Sequence, residues 1–148
     1  MTTLITAEQV INLAYGPNEQ IRPSAITAVD IAEAEACHIL PILGDALTEA
    51  IHSGKYHSLV EDYIAPALAL WVRHGIEPML HTRCGGDHSN TSTNSIALAQ
   101  RTLHRKATTL TRRLCNILNL HRADFPEYNP HTNPLNRCSI YGDIIQIR

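Results

Sequence analysis

Apolar residues recur at helical spacing along most of the chain, and one stretch dominates the pattern. From Ser58 to Leu80, SLVEDYIAPALALWVRHGIEPML, a step of about 100° per residue puts Leu59, Tyr63, Ile64, Ala67, Leu68, Leu70 and Trp71 on one half-turn. Ala65, Ala69, Val72 and Ile76 fill much of the other half, leaving a narrow polar sector near Asp62 and Arg73. A helix apolar on nearly every side belongs in the middle of a domain, and Ala65 and Ala69 are small enough for a neighbouring helix to approach closely. Ser58 and Glu61 have capping-box spacing at its start. Pro66 has no N–H to give to the Asp62 carbonyl, which predicts a bend.

Shorter helices precede it. Thr6 and Gln9 form a capping-box pair, with Ile5 and Val10 placed to close a hydrophobic staple, so a helix is expected from Ala7 to near Tyr15. Gly16-Pro17-Asn18 ends it. After Pro23, Ile26, Val29, Ala32, Ala36 and Ile39 recur on one face of a second helix, with Asp30, Glu33 and Glu35 expected to look outward. Pro41 is expected to stop that helix and open a third, PILGDALTEAIHS, buried through Leu43, Leu47, Ala50 and Ile51 and ended by Gly54.

After the central helix, His81 to Asn94 is polar, Gly-rich and without period, as expected of a mobile loop between long helices. The last long helix is expected from Ser95 to near Leu120, with Ile96, Ala99, Leu103, Ala107, Leu110, Leu114 and Ile117 in one stripe. Arg101, Arg105 and Arg112 fall within about 40° of one another on the other side, flanked by Lys106 and Arg113. Beyond Arg122, the prolines and asparagines of DFPEYNPHTNPLNR rule out regular structure. CSIYGDIIQIR alternates around Gly142-Asp143 like a small hairpin or a single added strand. So short a strand needs a partner, and Ile140, Tyr141, Ile144 and Ile145 are expected to pair with the same tail of another copy. The expected fold is an all-α bundle of about five helices, two long and three shorter, over residues 1–124, with an extended tail over 125–148.

Composition sharpens this in two ways. One Phe and one Trp in 148 residues, against abundant Ala and Leu, favour helices over a β-sandwich. Charge is segregated: residues 1–100 hold 4 basic and 11 acidic side chains, a net of −7, while 101–148 hold 8 basic and 3 acidic, a net of +5. An acidic body with a basic end points to oriented association, head-to-tail between subunits or with a polyanion. The four cysteines lack CxxC spacing and the opening MTTLITAEQ is no secretory leader, so a reduced, cytosolic setting is expected. No apolar run approaches the roughly 20 residues of a membrane helix, and no membrane partner is expected.

Candidate chemistry is sparse. His81, Cys84, Asp87 and His88 have metal-ligand types at short spacing, as a zinc site would. The spacing matches no established zinc pattern and two glycines leave the loop unconstrained, so a polar loop is the simpler reading and no metal or cofactor is assigned. His74 lies in the apolar arc of the central helix as either a buried acid/base or a satisfied core histidine. Arg73 and Glu77 form an i,i+4 pair, which is no evidence of catalysis. There is no Walker loop, GxGxxG, HExxH, GxSxG or paired-carboxylate motif, and catalysis has no support. The arginine stripe reads as a phosphate-binding surface, as a contact for an acidic patch on a neighbouring subunit, or as a solvated outer face.

Three segments together are familiar: LITAEQV near the start, LPILGDAL followed by the YIAPALA core and EPML end of the central helix, and FPEY after the last helix. In order and spacing they resemble a family of small helical head-tail connector proteins (adaptors, or head-completion proteins) of Bacteroidetes-type tailed phages and prophages. The resemblance spans roughly residues 4 to 128. It implies a structural virion protein, not an enzyme, found in the virion and, during assembly, in the host cytoplasm. It further implies a homo-oligomeric ring beneath the portal, contacts with portal and tail-completion proteins, and DNA passing through the channel without sequence specificity. Such rings join subunits heterologously, acidic face to basic face. The alternative is a DNA-binding protein using the arginine face, although no helix-turn-helix recognition pair is visible.

Overall fold

The computed structural model describes residues 2–83, 93–141 and 144–147. Among them the chain forms four helical runs and a terminal hairpin: α1 (Ala7–Ala14), α2 (residues 28–52), α3 (residues 57–83) and α4 (Thr93–Leu120), then β1 (Cys138–Tyr141) and β2 (Ile144–Ile147). The all-α character follows the apolar periodicity; the second and third expected helices join through Pro41 into one run kinked at Gly44, so there are fewer helices than expected. No helix among the described residues is long and apolar enough to cross a membrane.

The reason α2 continues through Pro41 is a change of hydrogen-bond register. A π turn, Glu35–Ile39, lets the Leu40 N–H reach back to the Glu35 carbonyl, and the widened backbone accommodates the proline ring. The helix stop expected at Pro41 is absent, and the run is instead kinked at Gly44, whose φ of 74° only glycine adopts without strain. The central helix repeats the device. A π turn, Val60–Ile64, with Ala65 N–H bonded to Val60, precedes Pro66 just as the first precedes Pro41. In place of a broken ladder, each proline follows one extra residue in the turn.

Helix ends follow local chemistry with two departures. Thr6 and Gln9 cap α1 reciprocally as expected. Residues Pro23–Ala25 form a 3₁₀ turn, so α2 starts later, at Ala28, where Thr27 and Asp30 make their own capping box. The run ends in a Schellman arrangement: Lys55 N–H bonds to Ala50 O, Gly54 N–H bonds to Ile51 O, and Gly54 has φ 92°. The Ser58–Glu61 capping box does not form; α3 begins one residue earlier, with Tyr56 held at φ 60° and no side-chain cap. Tyr56 is tied down from outside, since its hydroxyl donates to Glu127 and its ring meets the edge of Phe125.

α3 is the centre of the bundle, and α1, α2 and α4 all pack on it. Ile64, Ala65, Ala67, Leu68, Ala69, Val72 and Ile76 are buried on all sides of α3, as its apolar circumference requires. Val10 comes from α1, Ile31, Ile39, Leu43 and Leu47 from α2, and Ala107, Leu114 and Leu118 from α4. Glu35, expected to look outward, is buried; its Oε1 accepts the Leu4 N–H at 2.6 Å, and burial pushes its carboxyl above the usual range.

The segment after α4, read as an extended tail from residue 125, docks on the helices at Phe125, Tyr128 and Asn133. It has no long helix or strand up to Arg137, but side-chain hydrogen bonds order it. Fully buried Asn133 donates to the Tyr128 hydroxyl at 2.9 Å and accepts from Leu135 N–H at 3.0 Å. Asn119 and Asn136 exchange bonds at 2.9 and 3.1 Å. Past Arg137 the strand finds its partner within the chain: β1 and β2 run antiparallel, with Ile140 opposite Ile145 and Tyr141 opposite Ile144. Two strands alone leave both outer edges of this ribbon open.

Candidate functional site

The rotation of α4 decides what its arginines can do. Trp71 on α3 donates its indole N–H to Thr111 Oγ1 at 2.9 Å, and Thr111 in turn donates to the Ala107 carbonyl at 2.8 Å. This bond turns α4 so that its buried arc centres on Ala107, Thr111, Leu114 and Leu118, displaced from the expected stripe toward Thr111. Two of the three arginines, Arg101 and Arg112, therefore border the α3–α4 seam. Arg101 lines one pocket along that seam with His74 and His104, and Arg112 lines another with His38, Trp71 and Leu135.

Arg101, Arg105 and Arg112 are exposed and make no ion pair or side-chain hydrogen bond among the described residues. Arg113 differs, because its guanidinium lies 5.1 Å from the centroid of the Tyr63 ring. Exposed carboxylates Asp45, Glu49 and Asp62 are likewise without ion pairs among the described residues. The segregation of charge in the sequence thus survives as unneutralised side chains of opposite sign on different helices.

The arginines of α3 behave otherwise. Arg73 Nη2 meets Glu19 Oε1 at 2.6 Å, Nη1 donates to the Ala14 carbonyl at 2.6 Å, and Nε reaches Glu77 at 3.4 Å. Its guanidinium also lies over Tyr15, 4.3 Å from the ring centroid. The expected Arg73–Glu77 pair is present but is the longest of the guanidinium's hydrogen bonds. Arg83 Nη1 meets Asp30 Oδ2 at 2.6 Å and also bonds the Ala25 carbonyl at 3.2 Å. Asp30, expected to look outward, is thus engaged. Burial alone would raise its carboxyl, yet Arg83 and Thr27 together hold it below the usual range. The Arg73 hydrogen bond does the same for Glu19.

A cluster of histidines that no local spacing announced gathers around Trp71. His38, from the π turn of α2, stacks on the indole at 3.7 Å with 6° between planes. His74 meets it edge-on at 5.6 Å and His104 at 5.3 Å. His74 is half-buried, and three rings, those of Trp71, His104 and His38, gather about it and the indole. Burial holds the His38 and His74 imidazoles below their ordinary range, and repulsion among the histidines adds to it. One signal was in the sequence: His74 and Trp71 are three residues apart on one helix, and so are neighbours. His38 and His104 come from other helices, and only the packing brings them in.

The remaining candidates are placed as follows. His81, Cys84 and His88 as a metal-binding set lie outside the described residues, apart from the backbone of His81, which is helical. Among the described residues no group of three His, Cys, Asp or Glu side chains is arranged to hold a metal ion. Of the loop expected over residues 81–94, residues 81–83 belong to α3 and 93–94 to α4, and the rest lie outside the described residues. For Ile140, Tyr141, Ile144 and Ile145 the backbone pairing is within the hairpin. No family model, curated protein or solved structure matches the chain.

Proposed function

We propose that the chain is a head-tail connector subunit of a Bacteroidetes-type tailed phage or prophage. In this reading it is a structural virion protein, not an enzyme. It assembles as a ring under the portal, links capsid to tail, and surrounds DNA without reading its sequence. It resides in the virion, after assembly in the host cytoplasm. The observation that carries the reading is the row Arg101, Arg105 and Arg112, exposed and unneutralised on a chain whose other helices present Asp45, Glu49 and Asp62. A heterologous ring contact sets one subunit's basic face against the next one's acidic face, where the charges that lack partners within the subunit find them.

The sequence resemblance supports the same reading. Its segments fall on the capped start of α1, the Gly44 kink of α2, the core of α3 and the docking of Phe125 and Tyr128, all of them packing features, so it speaks for the scaffold and leaves the contact surface to the charges. The open edges of the terminal hairpin offer a second joint, by strand addition between subunits. Electron microscopy and particle mass on the protein mixed with the portal protein of the same genome test this. Annular density beneath the portal is the expected result; no ring and no decoration under assembly conditions overturns it. A portal or major capsid gene immediately upstream is the matching genomic expectation.

Direct DNA binding by the same arginine row is the second reading, favoured by its exposure. It requires duplex affinity that falls steeply with salt, with a slope reduced by about 1 in Arg105→Ala if that side chain neutralises one phosphate.

A further inference from the structure

Where α3 meets the first half of α4, a surface pocket is lined by His74, Ala97, Gln100, Arg101 and His104. Three of these side chains carry or acquire positive charge, and no carboxylate is among them. The His74 and His104 rings lie 5.6 Å apart at a 59° tilt, and both rest against Trp71, which is buried and fixed by its bond to Thr111. Gln100 gives one amide N–H to the His74 carbonyl at 3.4 Å, leaving its second N–H for another acceptor. Arg101 has no ion-pair partner among the described residues. A metal cation is poorly matched to two imidazoles with a guanidinium beside them. An anion is well matched.

We propose that His74, Gln100, Arg101 and His104 form a binding site for a phosphate-type oxyanion. Ring N–H donors from two imidazoles, a guanidinium and an amide N–H match the charge and acceptor geometry of a phosphate group. The arrangement also couples binding to protons. His74 is held toward its neutral form by burial and by His104 facing it. An anion shared by the two rings and Arg101 favours the charged form, so binding takes up a proton and tightens as pH falls. Other charged groups around the cluster are His38 on the stacked face of Trp71, Asp30 and Glu33 of α2 in the adjoining cleft, and Arg112 in the groove beyond His38. Asp30 is already committed to Arg83, which leaves Glu33 as the competing acid among the described residues that line that cleft.

The site does not rest on the connector reading: a chain that forms no ring still binds phosphate here, so the two fail separately. The test is a histidine-ring NMR titration of the full chain with inorganic phosphate, against sodium chloride at matched ionic strength. Phosphate is expected to raise the His74 midpoint by about one pH unit, equivalent to roughly tenfold tighter binding to the protonated form, and to shift the His104 resonances. Arg101→Gln and His104→Gln are expected to weaken phosphate binding at least severalfold while leaving the unfolding midpoint unchanged. Equal effects of chloride and phosphate, or undiminished binding in both variants, overturn the proposal. A duplex oligonucleotide identifies the source of the phosphate: competition for the same rings assigns it to a nucleic-acid backbone, and phosphate binding without competition assigns it to a free anion.

Discussion

On α3, Arg73 and Arg83 each meet a carboxylate and a backbone carbonyl: Arg73 at the end of α1 and the segment after it, Arg83 at the end of that segment and the first turn of α2. On α4, Arg101, Arg105 and Arg112 do neither among the described residues. The same side chain therefore serves two purposes in neighbouring helices. Arg73 closes the C-terminal end of α1 through the Ala14 carbonyl, stacks on Tyr15 and pairs with Glu19; its own side chain is only 17% exposed while that of Glu19 is 41% exposed, so the Ala14 bond is the better shielded of the two. That is fold stabilisation. An exposed arginine without a partner contributes little to the fold, and three in a row are better explained by something outside the chain.

Arg73→Met is expected to cost about 3 kcal/mol in chemical denaturation, because it leaves Glu77 and the Ala14 carbonyl half-buried without their donor. A loss below about 0.5 kcal/mol would put Arg73 in the same class as the α4 arginines. Arg83→Met is expected to cost less, about 1 kcal/mol, since its side chain is 29% exposed, and to raise proteolytic sensitivity between α1 and α2.

Acidification sharpens the contrast through the groups that titrate. The folded His38 and His74 lie below their ordinary value of 6.5, so the unfolded chain binds protons that the folded one refuses. Their contribution is complete above pH 6.5 and is lost as the pH falls through that value toward the folded pKa. Glu19 and Asp30 sit below 4.5 and 3.8 in the fold, and their pairs with Arg73 and Arg83 are lost at still lower pH. A denaturation series is expected to fall in two stages, and His38→Gln with His74→Gln should flatten only the upper one. The smallest expected effect is that of Arg101→Ala, Arg105→Ala and Arg112→Ala combined, within about 0.5 kcal/mol of the parent on unfolding.

Much of the fold was legible because the signals were local. The all-round apolarity of residues 58–80 placed α3 at the centre, and Thr6 with Gln9 placed the start of α1. Misplaced features depended on non-local terms. Pro41 reads as a helix stop unless the preceding turn changes register, and the π turn that allows this has no sequence signature of its own. Glu35 and Asp30 read as solvent-facing until Leu4 and Arg83 arrive from distant segments. The candidate site divides the same way. The arginine row follows from helical spacing, whereas its place beside the seam depends on Trp71 bonding Thr111, and the histidine cluster on three helices meeting at one indole.

The most direct test of the arginine row as an assembly surface is particle mass of portal mixed with the parent chain or with the triple variant Arg101→Ala, Arg105→Ala, Arg112→Ala, beside the unfolding midpoint of each. The expected result is a mass increment for a ring with the parent, loss of that increment in the variant, and matching midpoints. An undiminished increment with the variant, at matching midpoints, contradicts the assignment of those arginines to the subunit contact.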